Sequence, residues 1–161
     1  MLLYRDGGIA RAAILLSKHG GRLGLLQHLA ALLAEGAPAD LMLRTWDAAV
    51  PVPLHWRRRW RRGFNQAEAL ARAVGGRHGL PVERGCLARV RATPPQQGDA
   101  AARRRNVLNA FVVRRAERIM GKRLLLVDDV FTTGATVNAC AAALLAAGAS
   151  AVGVLTLARV E

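Results

Sequence analysis

The sequence predicts an α/β fold in which a mainly parallel, twisted sheet is flanked by helices. Arg123 to Asp128 joins four consecutive apolar residues to a terminal acid, and Ala151 to Leu157 is rich in Val and Leu, so both are predicted strands. Between them lies a predicted helix, Thr136 to Ala147, capped by Gly148, whose apolar residues follow one helical face: Val137, Cys140, Ala141, Leu144 and Leu145. A strand, a helix and a strand at this spacing predict a right-handed crossover between parallel strands.

The segments at the start of the chain are predicted from their apolar spacing and its interruptions. Ile9 to Lys18 and Leu23 to Ala34 are predicted helices. Trp46 to Pro53 is a predicted buried strand that ends in a proline-fixed loop. The second helix should turn one leucine face to the core: Leu25, Leu26, Leu29, Leu32 and Leu33.

A third helix is predicted from Asn65 to Gly75. Asn65 suits the N-cap, Glu68 stands in the capping-box position, and Gly75-Gly76 should end the helix. Two prolines make Thr93–Gly98 irregular. The remaining predicted elements are a strand at Leu87 to Val90, a helix at Ala100 to Leu108 and a strand at Ala110 to Val113.

The totals predict a single domain over residues 1–161, with a helical N-terminal region at 1–40 and the core at 47–159. Apolar residues make up 52% of the chain and aromatic residues 4%, so the core should consist mostly of Ala, Leu and Val. No apolar run approaches the roughly 20 residues that span a bilayer, and no signal peptide is recognisable. We therefore expect a cytoplasmic protein without membrane insertion.

Cys86 and Cys140 form no CxxC pair and are expected to be buried small residues.

The chain is strongly basic, with 24 Lys and Arg against 11 Asp and Glu, a formal net charge of +13. Two interpretations of this total stay open: a polyanionic partner such as nucleotides or nucleic acid, or the coding bias of a GC-rich genome. The charge is clustered at Arg57 to Arg59 with Arg61 and Arg62, and again at Arg103 to Arg105. For the first cluster a solvated face is favoured over a nucleic-acid surface.

The segment after the predicted strand, Asp128 to Thr136, carries the chemistry. Ligands of parallel sheets bind beyond the carboxyl ends of the strands, which places this segment at the site. A helix N-terminus offers free N–H groups and a positive partial charge to a phosphate. Gly134 lets the backbone turn closely, and three threonines add hydroxyl donors: Thr132, Thr133 and Thr136.

The acidic pair at the start of this segment suits a different part of a ligand. The carboxylates of Asp128 and Asp129 can accept hydrogen bonds from vicinal sugar hydroxyls. They can also support Mg²⁺, which takes one or two carboxylates plus substrate phosphates. The whole segment therefore predicts a site for a ligand with a phosphate at one end and a ribose diol at the other.

Two other interpretations of the apolar strand and its acidic pair fail on residues that the chain lacks. A Walker B strand needs a G-x-x-x-x-G-K-[ST] loop upstream, and the sole GK in the chain, Gly121-Lys122, directly precedes the strand. A receiver domain needs a phosphoacceptor Asp on a later strand, and the one acid after Asp129 is Glu161.

The pattern LLLVDDVFTTGAT at Leu124 to Thr136 resembles the phosphoribosyl-pyrophosphate loop of type I phosphoribosyltransferases. Two more segments resemble elements of the ComF family. Arg62 to Gln66 reads RGFNQ, and Thr93 to Gln96 reads TPPQ ahead of an RRN at Arg104 to Asn106 and a Phe at Phe111. The likeness covers about residues 47 to 159, in the same order.

The resemblance implies a type I phosphoribosyltransferase fold with phosphoribosyl pyrophosphate as ligand and Mg²⁺ as cofactor. Asp128 and Asp129 would contact the ribose hydroxyls, directly or through Mg²⁺. The 5′-phosphate would be held by Thr132, Thr133, Gly134, Ala135 and Thr136, and pyrophosphate by the loop of Pro51, Val52, Pro53 and Leu54. A mobile flap at about 91–108 would close over the site. Ligand or flap roles are expected for Arg62, Asn65, Gln96, Arg104 and Arg105.

Several points limit what the resemblance implies. For Arg62 and Asn65, a salt bridge and an N-cap are equal alternatives to a ligand role. ComF proteins often begin with a four-cysteine zinc module, and this sequence contains no such cysteine set. Asp99 and Arg103 depart from the family pattern inside the predicted flap.

Two functions therefore stay open. One is an enzyme that transfers ribosyl phosphate to an unidentified acceptor, with a role in DNA uptake. The other is a non-catalytic module that senses a phosphoribosyl ligand, or that binds single-stranded DNA or competence proteins. Assembly into a homo-oligomer also stays open.

Overall fold

The computed structural model describes residues 2–4, 9–17, 23–37, 41–56, 60, 63–91 and 110–160. Several predicted features lie outside these ranges and stay predictions: the helix at 100–108, the flap beyond Arg91, and the arginines at positions 57–59, 61–62 and 103–105. None of the helices within these ranges is long and apolar enough to cross a membrane.

The strands are, in chain order, β1 (Leu2–Tyr4), β2 (Ala48–Pro51), β3 (Leu87–Arg89), β4 (Phe111–Val113), β5 (Arg123–Phe131) and β6 (Ala151–Val160). Four of them form a parallel sheet in the spatial order β1-β6-β5-β2. The other two, β3 and β4, form a small antiparallel sheet. The predicted α/β class with a mainly parallel sheet is confirmed.

The helices are α1 (Ile9–Ser17), α2 (Leu23–Glu35), α3 (Gln66–His78) and α4 (Ala135–Ala146). A short 3-10 turn at Leu43–Thr45 precedes β2, and another at Ala116–Arg118 precedes β5. Helix α4 forms the predicted crossover between β5 and β6. Helix α3 begins as predicted, because the Asn65 side chain accepts a hydrogen bond from the N–H of Ala67 at 3.2 Å. The helix start predicted from the local sequence is thus present.

Strand β5 is the centre of the structure. It lies between β2 and β6, and its residues Leu124 to Val127 are fully buried. Leu124 and Leu126 pack with Val137 and Leu144 of α4 on one face. Their neighbours on the strand pack on the other face with α1, α2 and α3. A strand covered on both faces must be apolar at every position, which explains the unbroken LLLV run.

The structure corrects several sequence predictions. Strand β5 does not end at Asp128 but continues to Phe131, because it keeps its pairing with β6 as far as Arg159. Leu32 and Leu145 were expected in the core, and they are 54% and 48% exposed. Each stands at the edge of its helix's apolar stripe, where the neighbouring layer does not reach. Strand β1 at Leu2–Tyr4 was not predicted from the sequence.

The predicted end of α3 at Gly75-Gly76 is also wrong, since the helix runs through both glycines and ends before Gly79. Gly75 is needed for close approach rather than for termination. A Cβ on Gly75 would lie 2.5 Å from the carbonyl oxygen of Leu80 and 2.8 Å from Val82. The chain folds back against α3 here, and Leu80 donates its N–H to the Gly75 carbonyl at 2.9 Å.

Gly75→Ala is expected to lower the free energy of unfolding by about 1–3 kcal/mol, because the added methyl overlaps the returning chain. Gly76→Ala is the matched control. Nothing lies within 4 Å of a Cβ at that helical position, so this substitution should raise stability by about 0.5–1 kcal/mol. Chemical denaturation of both variants measures the difference, and equal shifts of the two would contradict the close contact.

Candidate functional site

The acidic pair lies where the sheet narrows at its carboxyl edge. Strand β2 ends at Pro51, which pairs with Val127, and the N–H of Val52 still donates to the Val127 carbonyl at 2.9 Å. Asp128 and Asp129 come directly after this point, beyond the end of β2, and both are half-buried. The acidic pair therefore lies at the carboxyl edge of the sheet, which is where the strand-end rule places ligands.

Successive residues of a strand normally face opposite sides of the sheet, which would separate the two carboxylates. That alternation slips by one residue here. Val127 belongs to the core cluster that contains residues of α2 and α3, and Val130 packs against that cluster, whereas Phe131 packs against the cluster that contains residues of α4. If the alternation continued strictly from Val127, Val130 would lie on the opposite face of the sheet and Phe131 on the same face as Val127. The slip falls at the acidic pair, so the two carboxylates are not forced onto opposite faces.

The carboxylate of Asp128 is oriented by the backbone and by its electrostatic neighbours. Its Oδ1 accepts a hydrogen bond from the N–H of Asp129 at 2.9 Å. Burial raises the pKa of the Cys140 thiol well above its ordinary value of 9.0; the charge of Asp128 raises it further, and the charge of Arg89 lowers it. Asp128 and Arg89 therefore both act on the buried face of α4.

The turn into α4 depends on Gly134. Its φ is 73°, in the left-handed region, and a Cβ there would lie 2.9 Å from the ring of Phe131. The Phe131 ring thus packs directly beneath the turn, with the guanidinium of Arg159 5.7 Å from its centre. Both the backbone angle and the close ring require glycine at this position.

The first turn of α4 presents donors suited to an anion. The N–H groups in the first turn of a helix have no carbonyl partner within that helix. In α4 the first helical hydrogen bond runs from the N–H of Asn138 to the carbonyl of Gly134 at 2.8 Å. Thr133 Oγ1 lies 3.5 Å from the N–H of Ala135, a long contact. Thr132 is exposed and Thr136 half-buried. The predicted residues Thr132 to Thr136 therefore surround one small concave turn.

The predicted pyrophosphate loop offers few backbone donors. Pro51 and Pro53 have no N–H, and Val52 uses its N–H on Val127 and its carbonyl on Asn65 Nδ2, at 3.0 Å. Leu54 is left as the one residue of the four with an N–H to give. Donors for a pyrophosphate must therefore come largely from other segments.

The bond from Asn65 joins the start of α3 to this loop. It gives Asn65 a structural role as N-cap and tether, which was one of the two predicted alternatives. Arg62, Gln96, Arg104 and Arg105, the other predicted ligand or flap residues, lie outside the described ranges.

Sequence reasoning missed two polar residues near the site. Gln66, the first residue of α3, is 3% exposed, and its Nε2 has no hydrogen-bond partner among the residues that the structure describes. Arg89 is half-buried in β3, and its guanidinium lies 5.4 Å from the centre of the Phe111 ring. A glutamine at a helix start inside RGFNQ was a usable signal for the first. Nothing in the local pattern distinguishes Arg89 from any strand arginine.

The donor set fits a magnesium ion held partly by its ligand. Within the described residues no group of three or more His, Cys, Asp or Glu side chains could enclose a metal. Mg²⁺ usually binds through one or two carboxylates plus substrate phosphates and waters. Asp128 and Asp129 supply that number of carboxylates, so the residues present fit this cation.

A family model for the phosphoribosyl transferase domain matches residues 60–161. The chain belongs to the phosphoribosyl transferase domain family. The match includes the acidic pair, the Gly134 turn and α4. It does not include β2, which the structure places next to β5.

Curated relatives confirm the resemblance to ComF proteins. The chain is 40% identical over 139 residues to DNA utilization protein YhgH of Salmonella typhi, covering 86% of this chain and 58% of the relative. It is 36% identical over 136 residues to Competence protein F of Haemophilus influenzae, covering 83% and 59%. It is 32% identical over 111 residues to Competence protein ComFC of Bacillus subtilis, covering 68% and 43%. The chain thus spans little more than half the length of these relatives, or less.

Solved structures show the same fold. The allosteric regulatory enzyme of purine biosynthesis superposes with a TM-score of 0.54 at 22% identity, over 82% of this chain and 25% of that one. Hypoxanthine phosphoribosyl transferase of Trypanosoma cruzi gives 0.51 at 11% identity, over 83% and 73%. At these identities the similarity is evidence for the fold alone, and this fold agrees with the predicted one.

Gly134→Ala is expected to destabilise the protein by about 2–3 kcal/mol, because it adds a clash with Phe131 to the strain of a positive φ. Gly121→Ala is the matched control: its φ is 72°, but nothing lies within 4 Å of a Cβ there, so only the strain of about 1 kcal/mol remains. Thermal denaturation compares the two, and a Gly134→Ala variant no less stable than Gly121→Ala would contradict the described turn.

Proposed function

We propose that this domain binds phosphoribosyl pyrophosphate with Mg²⁺ and transfers ribosyl phosphate to an acceptor, releasing pyrophosphate. The observation that carries the proposal is the sequence of groups along one edge of the sheet. Two half-buried carboxylates, Asp128 and Asp129, stand beyond the end of β2, and the Gly134 turn into α4 follows five residues later. The carboxylates suit a ribose diol, and the turn suits a 5′-phosphate, so the two groups match the two ends of one ligand.

The chain's own residues have separate tasks in this proposal. The carboxylates of Asp128 and Asp129 accept hydrogen bonds from the ribose hydroxyls. The N–H groups and hydroxyls of Thr132 to Thr136 hold the 5′-phosphate. As the bond to pyrophosphate breaks, positive charge develops at the anomeric carbon, and the fixed acidic pair stabilises it electrostatically. Mg²⁺, when bound, would neutralise the phosphate charge.

Gln66 is proposed as a further donor for the pyrophosphate end. The 51–54 loop supplies little beyond the N–H of Leu54, whereas Gln66 carries a buried amide donor without a partner next to that loop. A buried unsatisfied donor is rare in a native protein and calls for an explanation. A pyrophosphate oxygen bound beside this loop would give Nε2 an acceptor.

Asp128→Asn combined with Asp129→Asn is expected to weaken phosphoribosyl pyrophosphate binding at least about ten-fold, since each charge-assisted hydrogen bond contributes about 1.5–3 kcal/mol. The matched control is Glu35→Gln with Glu117→Gln, which removes the same charge from two exposed carboxylates. Calorimetric titration with Mg²⁺ present measures affinity, and pyrophosphate release with candidate acceptors measures turnover. Unchanged affinity in the Asp variant would refute the site assignment.

A second candidate function is favoured by a specific surface. Trp60 is 88% exposed and Trp56 61% exposed, both inside the arginine-rich segment at 56–62. Exposed aromatics among cations suit stacking on the bases of single-stranded nucleic acid. Relatives named for competence and DNA utilization agree with such a partner. In this reading the domain binds DNA as part of uptake, with or without catalysis.

Trp60→Ala is expected to weaken binding of a single-stranded oligonucleotide by about 1–3 kcal/mol with little change in its salt dependence, because stacking is lost and phosphate contacts are kept. Arg57→Ala with Arg58→Ala and Arg59→Ala should instead reduce the salt slope. Fluorescence anisotropy at several salt concentrations separates the two effects. An oligonucleotide affinity that neither change alters would exclude this surface.

A further inference from the structure

A second concave site lies at the opposite, amino-terminal edge of the parallel sheet. It is a cavity of about 340 Å³ between the residues that precede β2 and the end of α3. Leu43, Trp46 and Leu80 form its apolar wall, and Arg44, Arg77 and His78 its polar wall. Because β2 begins at Ala48 and the acidic pair follows its other end, the cavity is separated from the ribosyl-phosphate site by the length of the strand.

The walls of this cavity are held by contacts within the protein. The indole N–H of Trp46 donates to the carbonyl of Leu41 at 2.9 Å. Its ring lies so close to Gly153 of β6 that a Cβ there would meet two ring carbons at 2.5 Å. On α3, His78 Nε2 lies 2.7 Å from the carbonyl oxygen of Ala34 in α2. Trp46 and His78 are therefore held in place by contacts within the protein, whereas Arg44 and Arg77 are exposed at the rim of the cavity.

Among the described residues, the two arginines of the cavity differ from other arginines of the chain in their ion pairing. Arg72, Arg84 and Arg118 each form a salt bridge with a glutamate. No ion pair involves Arg44 or Arg77 in the part of the chain that the structure describes. The acid nearest in sequence, Asp47, uses Oδ2 to accept the backbone N–H of Arg123 at 2.7 Å.

The helix dipole explains the position of one of the two arginines but not of the other. A cation in the last turn of a helix offsets the negative end of the helix dipole, and that explains Arg77 at the end of α3. It does not explain Arg44, which belongs to a three-residue 3-10 turn with no appreciable dipole. Two guanidinium groups that line the same cavity suit a phosphate, because arginine presents parallel N–H donors that match phosphate oxygens.

We propose that this cavity binds a nucleotide, with its phosphate on Arg44 and Arg77 and its nucleoside against the wall of Leu43, Trp46 and Leu80. Its volume lies at the lower end of the range of about 300–1,000 Å³ for small-molecule sites, which suits one nucleotide. The apolar wall distinguishes it from a site for a bare anion. The site does not depend on the proposed phosphoribosyl chemistry, since it shares no residue with it.

The test uses Trp46 as its reporter. The chain has three tryptophans, so Trp56→Phe with Trp60→Phe leaves Trp46 alone to fluoresce. This protein is titrated separately with adenosine 5′-monophosphate, ribose 5-phosphate, inorganic phosphate and an oligodeoxythymidylate. Saturable change of Trp46 fluorescence with the mononucleotide, at lower concentration than with ribose 5-phosphate or inorganic phosphate, is the expected result.

Arg44→Ala with Arg77→Ala in the same background should raise the mononucleotide midpoint at least about ten-fold, because two charge-assisted hydrogen-bond donors are lost. Arg114→Ala with Arg115→Ala is the matched control: it removes the same charge from two exposed arginines outside the cavity and should leave the midpoint unchanged. Circular dichroism melts confirm that each variant folds. Asp128→Asn with Asp129→Asn should also leave the mononucleotide midpoint unchanged. Failure of the proposed phosphoribosyl site and failure of the proposed nucleotide cavity are therefore distinguishable.

Four results would overturn the proposal. They are no saturable change with the mononucleotide, equal affinity for inorganic phosphate, response to the oligonucleotide alone, and equal loss in the two arginine double variants. A response to the oligonucleotide alone would mean that the residues around the cavity form a nonspecific nucleic-acid surface. The last would show that net charge rather than the cavity governs binding.

Discussion

The structure depends on the burial of β5 between β2 and β6. Its residues Leu124 to Val127 are fully buried, and each such side chain contributes about 1.5–3 kcal/mol of hydrophobic stabilisation. A central strand that is apolar on both faces needs cover on both, so α4 packs on one side and α1, α2 and α3 on the other. The strands that pair with β5 and the helices that cover its two faces are therefore positioned by it.

The same strand explains why charge is tolerated so close to the core. Asp128 follows directly after Val127, and its effect on the pKa of Cys140 shows that its charge acts on the interior of α4. The pairing of β5 with β6 continues past the acids to Phe131, and that continuation keeps them in place. A ring packed beneath Gly134 then sets the turn into α4. Rigid apolar strands thus position a polar site that a flexible loop could not hold.

Local patterns were sufficient wherever neighbouring residues decide the structure. The Asn65 cap, the apolar β5 and the helix after Gly134 were predictable because each depends on a few residues in sequence. Boundaries set by distant contacts were not. Gly75 looked like a helix stop, but the close return of the chain to Leu80 is what requires it. Leu145 fits an apolar stripe, yet no layer covers it.

The sequence by itself determined the fold class, the family and the position of the acidic pair and of the turn into α4, because Asp128 to Thr136 is one contiguous segment between a strand and a helix. Only the tertiary structure decided what meets that segment. The limited donors of the 51–54 loop, the partnerless amide of Gln66 and the placement of Arg89 arise from pairing between strands far apart in sequence. The cavity at the amino edge has the same origin, since Arg44 and Arg77 are brought together by packing that no local pattern records.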